Sequence, residues 1–309
     1  MDGDRPVEQI HTSVLLEECL HYLAPETGKV YVDGTLGLGG HTEAILKASV
    51  PKGRVVAFEW DETALSHSLE RLDDCKDRLT VIRRNFAELA EGLEEIGIQE
   101  IDGLLIDIGV SSLQLDIGER GFSFQRDEVL DMRMDSRGTT TAESILASCS
   151  EQELADIFYY YGEERQARPI AAAIVLNRKQ EKIRTTKQLV SIVAHAVPKR
   201  FHPKRIHVAT KVFQALRIAV NTELENLARI LDDGVKFLKP GANFCVISFH
   251  SLEDRIVKRK FKNNKELEVL TVKPVMSSPE EIAVNPRSRS ARLRVARKRK
   301  QNEGGYDEL

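Results

Sequence analysis

The stretch from Val30 to Ile45, "VYVDGTLGLGGHTEAI", decides how the rest of the chain is read. A short apolar run ends in an acid, a glycine-rich turn follows, and a helical pattern begins behind it. Glycines at 34, 37, 39 and 40 allow positive φ and let the backbone approach a ligand closely, while the helix that follows offers unpaired N–H groups. A dinucleotide fingerprint would need G-x-G-x-x-G, and the run Gly37-Leu38-Gly39-Gly40-His41-Thr42 lacks the last glycine. Asp33, at the strand end directly before the turn, would repel a pyrophosphate and welcome a cation.

Working outward, "KVYVD" (29–33), "RVVAFE" (54–59), "LTVIRRN" (79–85) and "DGLLIDIG" (102–109) read as strands. "HTEAILKAS" and "DETALSHSLERL" read as the helices between them, an alternation that predicts a parallel sheet covered on both faces. The rhythm breaks from about Asp127 to Pro198, where every pattern is helical. Ser150 and Glu153 have capping-box spacing, and Leu154, Ile157, Phe158 and Tyr161 follow on one helical face. "HVATKVFQALRIAVNTELENLARILDDGVKFL" reads as one long helical region, and "KPGANFCVISF" returns to a turn and a buried strand. The expected fold class is therefore α/β, a sheet domain interrupted by a helical insert.

Composition narrows the function classes. The chain has 309 residues and a net charge of -3, ordinary for a soluble globule. It shows neither a secretory leader pattern nor an apolar run long enough for a bilayer, so a cytoplasmic protein without a membrane partner is expected. Cys19, Cys75, Cys149 and Cys245 are scattered, which argues against a disulfide framework or a thiolate metal site; no metal is expected. Basic charge gathers near the end: "RSRSARLRVARKRK" (287–300) has eight basic residues and no acid, and "RIVKRKFK" (255–262) is a second cluster. A charge run is most often a solvated face, but two in one segment suggest a phosphate-binding surface. Within the first, "ARLRVA" alternates as a strand with its arginines on an open face, leaving "RKRK" at 297–300 as a disposable tail.

Three further positions follow from the sheet reading. Glu59, ending the second strand, is placed to accept hydrogen bonds from ribose hydroxyls. Phe86, just past the third strand, either packs in the core or borders an adenine. Asp107 ends the fourth strand, where ligands of such sheets bind, although a helix N-cap is its plainer role. His41, in the first turn of a helix, is ambiguous by itself. The acid before the loop favours S-adenosylmethionine over a nicotinamide dinucleotide as cofactor.

Together these segments resemble the bacterial ribosomal small-subunit (16S) RNA cytosine-N4 methyltransferases. The resemblance is carried by "HTSVLLEE", "DGTLGLGGHTE", "DIGVSSLQLD", "ERGFSFQRD", "LDMRMD", "ATKVFQALRIAVNTEL", "VISFHSLEDRIVKRKF" and "NPRSRSARLRVA", which span His11 to Ala296. It implies a class I (Rossmann-like) S-adenosylmethionine-dependent methyltransferase fold with an inserted helical domain. The boundaries expected are 1–126 and 206–309 for the core and 127–205 for a substrate-recognition insert. It also implies cofactor contacts at Gly39, Gly40, His41, Glu59, Phe86, Asp107 and Gln114. The implied partner is 16S rRNA in the small ribosomal subunit, and since family members can dimerise, a homodimer is a further expectation. Two departures are visible: the family often has Asp where Glu59 stands, and Pro where Leu113 precedes Gln114.

For amine methylation, Asp107 is the candidate catalytic acceptor of the N4 proton, with a backbone carbonyl as the alternative and His250 of "SFHSLED" as a weaker one. Carbon-5 methylation would require a cysteine nucleophile, usually in a Pro-Cys turn, and none of the four cysteines has that setting. A non-catalytic RNA-binding assembly protein and a dehydrogenase are the competing readings.

Overall fold

The computed structural model describes residues 13–109 and 119–300. The chain forms two compact units, one of residues 1–109 with 226–309 and the other of 110–225. The insert expected over 127–205 lies within the second.

The first unit is built on a seven-stranded sheet. In chain order its strands are β1 Val30–Asp33, β2 Arg54–Phe58, β3 Leu79–Ile82, β4 Ile101–Asp107, β5 Leu238–Ser248, β6 Leu267–Val269 and β7 Arg292–Lys298. They lie in the order β3-β2-β1-β4-β5-β7-β6. The pairs from β3 to β5 are parallel, whereas β7 runs antiparallel to both β5 and β6. This is a Rossmann-like arrangement, as the resemblance implies.

Side-chain alternation sorts the strands into two cores, one on each sheet face. Val32, Val56, Leu104, Ile106, Phe244 and Val246 join one cluster, while Tyr31, Val55, Ala57, Leu105, Cys245 and Ile247 join the other. Strands buried on both faces must read as nearly continuous apolar runs, as β2 and β4 do. Its first segment carries the helices α1 Leu16–Leu23, α2 Gly40–Ala48, α3 Glu62–Arg71 and α4 Leu89–Glu95.

The second unit contains α5 Ala142–Ser148, α6 Glu151–Tyr160, α7 Ala167–Asn177, α8 Thr186–Ala196 and α9 Thr210–Asn221. Its own core includes Leu154, Phe158, Ile170, Ile174, Leu189, Val193, Val212 and Leu216. Helix starts are fixed by reciprocal capping boxes at Thr141, Ser150 and Thr185. The expected single long helix is two: α9 stops at Thr222, which takes φ 47°, and α10 runs from Glu223 to Phe237. Helices α11 Ser251–Asn263 and α12 Pro279–Val284 complete the chain order. No helix among the described residues is long and apolar enough to cross a membrane.

The C-terminal basic run departs from expectation. The "ARLRVA" segment does form a strand, β7, but its arginines are not on an open face. Arg294 is 5% exposed, and its guanidinium holds Asp254 through Nε at 2.6 Å and Nη2 at 3.2 Å. Nor is 297–300 a loose tail. Arg297 donates to Asn243 Oδ1 at 3.1 Å, Lys298 donates to the Val235 carbonyl at 3.0 Å and pairs with Glu266, and Arg299 donates to the Leu267 carbonyl at 3.1 Å. The physical reason is position: β7 lies between β5 and β6 and packs beneath α11, so its side chains meet protein where an edge strand's would meet water.

Candidate active site

The C-terminal ends of parallel strands are where such sheets bind ligands, above all where the strand order reverses. Here that point lies between β1 and β4. Asp33 ends β1, Glu59 follows β2, Asn85 and Phe86 follow β3, Asp107 ends β4, and Phe249 and His250 follow β5. The glycine loop therefore sits among residues delivered by all five strands.

The loop is tied down by carboxylates beneath it. Asp33 is 1% exposed; its Oδ1 accepts the Thr35 N–H at 3.0 Å and its Oδ2 accepts the Thr42 hydroxyl at 2.7 Å. Thr35 in turn offers its hydroxyl oxygen to the Asp107 N–H at 2.7 Å, bridging β1 to β4. Neither threonine stands out in the sequence as a site residue. One signal does point to Thr35: an acid two residues before it is the spacing of an Asx turn, which an Asp before a glycine loop favours. Both oxygens of Asp33 thus serve the loop itself.

Gly39 is the N-cap of α2 at φ 78°, in the left-handed region where a side chain would be strained. At Gly40 the limit is steric, because a Cβ would fall 2.0 Å from the Ser13 hydroxyl oxygen. Both glycines are thus required by backbone conformation and by packing against Leu72 and Ser13, and they open a helix whose first N–H groups face the end of the loop.

Glu59 braces the same loop from the side. Its Oε2 accepts the Gly37 N–H at 2.9 Å, and its Oε1 accepts Trp60 and Asp61 N–H groups at 2.9 and 2.8 Å. Three donors occupy most of the roughly four lone-pair sites of a carboxylate. Burial nonetheless lifts this acid to about 7, outweighing the bonds from Asp61, Gly37 and Trp60 that favour its charged form. Phe86 opens a short 3-10 turn, Phe86–Glu88, whose Asn85 cap accepts the Ala87 N–H at 2.8 Å. A Cβ on Gly34 would lie 3.1 Å from Phe86 Cβ, so the β3 loop borders the glycine loop.

His41 and Asp107 face each other in this setting. His41 is 7% exposed, its Nε2 lies 3.0 Å from the Val14 carbonyl, and its Nδ1 lies 4.0 Å from Asp107 Oδ2. A carbonyl cannot donate, so Nε2 carries the proton. When the ring is neutral, a lone pair on Nδ1 then faces the acid. The Asp107 carboxyl accepts the Gly109 N–H at 2.9 Å through Oδ1. Burial raises its pKa above the ordinary carboxylate range, opposed by His41 and the Gly109 bond and reinforced by Asp33 and Glu253. An acid at a strand end whose pKa is raised is a stronger proton acceptor than an ordinary carboxylate.

His250 takes a different part. It is the N-cap of α11, its Nδ1 accepting the Glu253 N–H at 3.4 Å while Glu253 Oε2 accepts the Phe249 and His250 N–H groups at 2.8 and 3.2 Å. The geometry is that of a capping box. Gly39, Gly40, His41, Glu59, Phe86 and Asp107 are brought together around one loop, and Gln114 lies outside the described residues.

Comparison with known proteins bears on the whole chain. A family model described as the MraW methylase family matches residues 8–299. The ribosomal RNA small subunit methyltransferase H of Desulfotalea psychrophila is 68% identical over 291 residues, which cover 94% of this chain and 99% of that protein. Its counterpart in Geotalea uraniireducens is 49% identical over 306 residues, with 93% and 98% covered. Among solved structures, an rRNA methylase from Streptococcus thermophilus has a TM-score of 0.39 at 12% identity, with 97% and 100% of the two chains covered.

Proposed function

The chain belongs to the MraW methylase family, and from that premise we propose that it methylates the exocyclic N4 of a cytidine in the decoding region of 16S rRNA, with S-adenosylmethionine as donor. The observation that carries the chemistry is Asp107, a carboxyl raised by burial at the end of β4 and facing His41 across the glycine loop.

The residues present fit the cofactor. Gly39 and Gly40 open α2, whose first N–H groups lie at the end of the glycine loop, and Glu59 keeps an acceptor site for a ribose hydroxyl beside the loop. Phe86 lies where an adenine ring would be bordered, and Gln114 is assigned to the same contact set by resemblance. When bound, the cofactor supplies an electrophilic methyl group on a sulfonium.

The chain's own task is to make a poor nucleophile adequate. The cytosine amine lone pair is delocalised into the ring, so the base must be held in line with the methyl, largely an orientation effect. Asp107 accepts the N4 proton as the new bond forms, and His41 tunes that carboxyl from 4.0 Å away. The target nucleotide is unpaired or flipped, since the base edge must reach the donor. Carbon-5 chemistry finds no cysteine at the strand ends that carry the site: Cys19 and Cys245 are buried, with burial pushing both thiols up, Cys75 lies in the 3-10 turn before β3, and Cys149 caps α5.

On this reading the protein works in the cytoplasm, on the ribosomal small subunit. Labelled S-adenosylmethionine with unmodified small subunits, followed by mass-spectrometric mapping, tests the assignment. A single methyl on cytidine N4 in the decoding region is expected. A methyl on another atom, or on another RNA, overturns it.

A further inference from the structure

From Lys182 to Thr222 the chain carries nine lysines and arginines and no aspartate or glutamate, within a protein of net charge -3. Part of that charge is neutralised internally, Arg184 by Glu143 and Arg217 by Glu223. Much of the remainder gathers in the connection between α8 and α9. There Lys199, Arg200, Lys204 and Arg205 are exposed and, among the described residues, none is within ion-pair distance of a carboxylate.

This connection is held in shape at both ends. Phe201 N–H donates to the Pro198 carbonyl at 2.8 Å and His202 N–H to the Lys199 carbonyl at 3.1 Å, closing one 3-10 turn, while the His202 ring reaches the Val197 carbonyl at 2.9 Å. At the far end His207 Nδ1 accepts the Ala209 N–H at 3.2 Å, and its ring stacks 4.9 Å from Phe124, which meets Phe213 at 5.0 Å. Between the anchors the Phe201 ring is 48% exposed with the Arg200 guanidinium 4.8 Å from its centroid, and Ile206 is 42% exposed.

A solvated charge run needs neither an outward aromatic ring nor two histidine anchors. A strand of unpaired nucleotides uses both a ring on which a base can stack and cations placed along its phosphates. We propose that residues 199–206 form a platform for single-stranded RNA, with Phe201 stacking a base and Lys199, Arg200, Lys204 and Arg205 meeting the flanking phosphates. A duplex is excluded as the preferred partner because its bases offer no free face. The C-terminal strand, expected to take this part, is the poorer surface because Arg294 and Lys298 are held by Asp254 and Glu266. The proposal rests on the RNA-substrate reading above and adds to it the surface that meets the RNA.

The test uses the full chain, an unstructured RNA oligonucleotide, the same oligonucleotide paired with its complement, and intact unmodified small subunits. Neutralising K199Q/R200Q/K204Q/R205Q should reduce the slope of log affinity against log salt by about 0.7 for each phosphate no longer neutralised, up to roughly 3. Phe201→Leu keeps an apolar side chain and removes the ring. It should weaken single-strand binding by about 5- to 150-fold at unchanged slope and erase the preference over duplex. Cofactor affinity and melting temperature serve as controls and stay at wild-type values. Wild-type oligonucleotide binding in both variants overturns the platform. So does a defect confined to intact subunits, which would place a ribosomal protein on this loop. Since binding is read apart from turnover, the two readings fail separately: a wild-type enzyme that methylates another atom removes the assigned reaction, and variants that bind RNA normally remove the platform.

Discussion

Glu59 carries two duties that pull in opposite directions. It braces Gly37 as an ionised acceptor, yet burial raises it from 4.5 to about 7. The folded form therefore holds a proton that the unfolded form releases between those values. Stability from this group is full below about 4.5 and is lost as pH rises through about 7, a span on the order of 3 kcal/mol. Glu59→Gln should flatten the urea-midpoint profile across that window, and an unchanged profile would remove the linkage. Asp107→Asn keeps the shape of the side chain and loses the acceptor, so turnover at saturating cofactor should fall by about 100-fold or more. A preserved rate would leave Asp107 as a cofactor contact only. The carboxylates at strand ends are legible in the sequence because sheet topology places strand ends at the ligand. Thr35 and Thr42, whose hydroxyls and amide serve Asp33 and its neighbours, are not, nor are the three N–H groups already on Glu59. Short polar side chains and backbone donors carry no hydropathy signal, so only local turn spacing points to them.

At the scale of elements, the Arg294–Asp254 pair joins β7 to the first turn of α11. With Arg294 5% exposed, Asp254→Ala leaves a buried guanidinium without its partner and should cost about 3–5 kcal/mol. Asp254→Ala combined with Arg294→Met should recover most of that loss. Urea midpoints at constant slope measure both, and a double variant no better than the single one would mean that the arginine carries no desolvation penalty. Strands β1 to β5 are readable from their apolar runs, and α6 from its capping box, because burial on two faces and orphan N–H groups each leave a periodic mark. The face of β7 is not readable. Alternation says that Arg292 and Arg294 share a side, but whether that side meets water depends on α11, which lies far away in sequence. The break at Thr222 is equally hidden, since "AVNTELEN" has no glycine or proline to interrupt a helical pattern.

At the scale of the whole molecule, Gly39, Gly40, His41, Glu59, Phe86 and Asp107 all belong to the sheet unit. S-adenosylmethionine at about 100 times its Kd adds roughly 2.7 kcal/mol to the state that binds it. Hydrogen exchange should therefore slow at the glycine loop, after β2 and around Phe86, while amides of α5 to α8 keep their rates. Protection confined to those helices would move the cofactor off the loop. The interruption of the sheet has a different consequence, felt during synthesis. Strand β4, with Leu104, Leu105 and Ile106 fully buried in the finished fold, pairs with β5, which begins about 130 residues later. At ribosomal speeds of about 5–20 residues per second, the gap lasts roughly 7–26 s. For that interval the nascent half-sheet carries an unpaired apolar edge, the kind that captures foreign strands. Threading a helical unit through the middle of a sheet thus makes the protein's own translation its most aggregation-prone moment, and slower elongation across 110–237 lengthens the exposure.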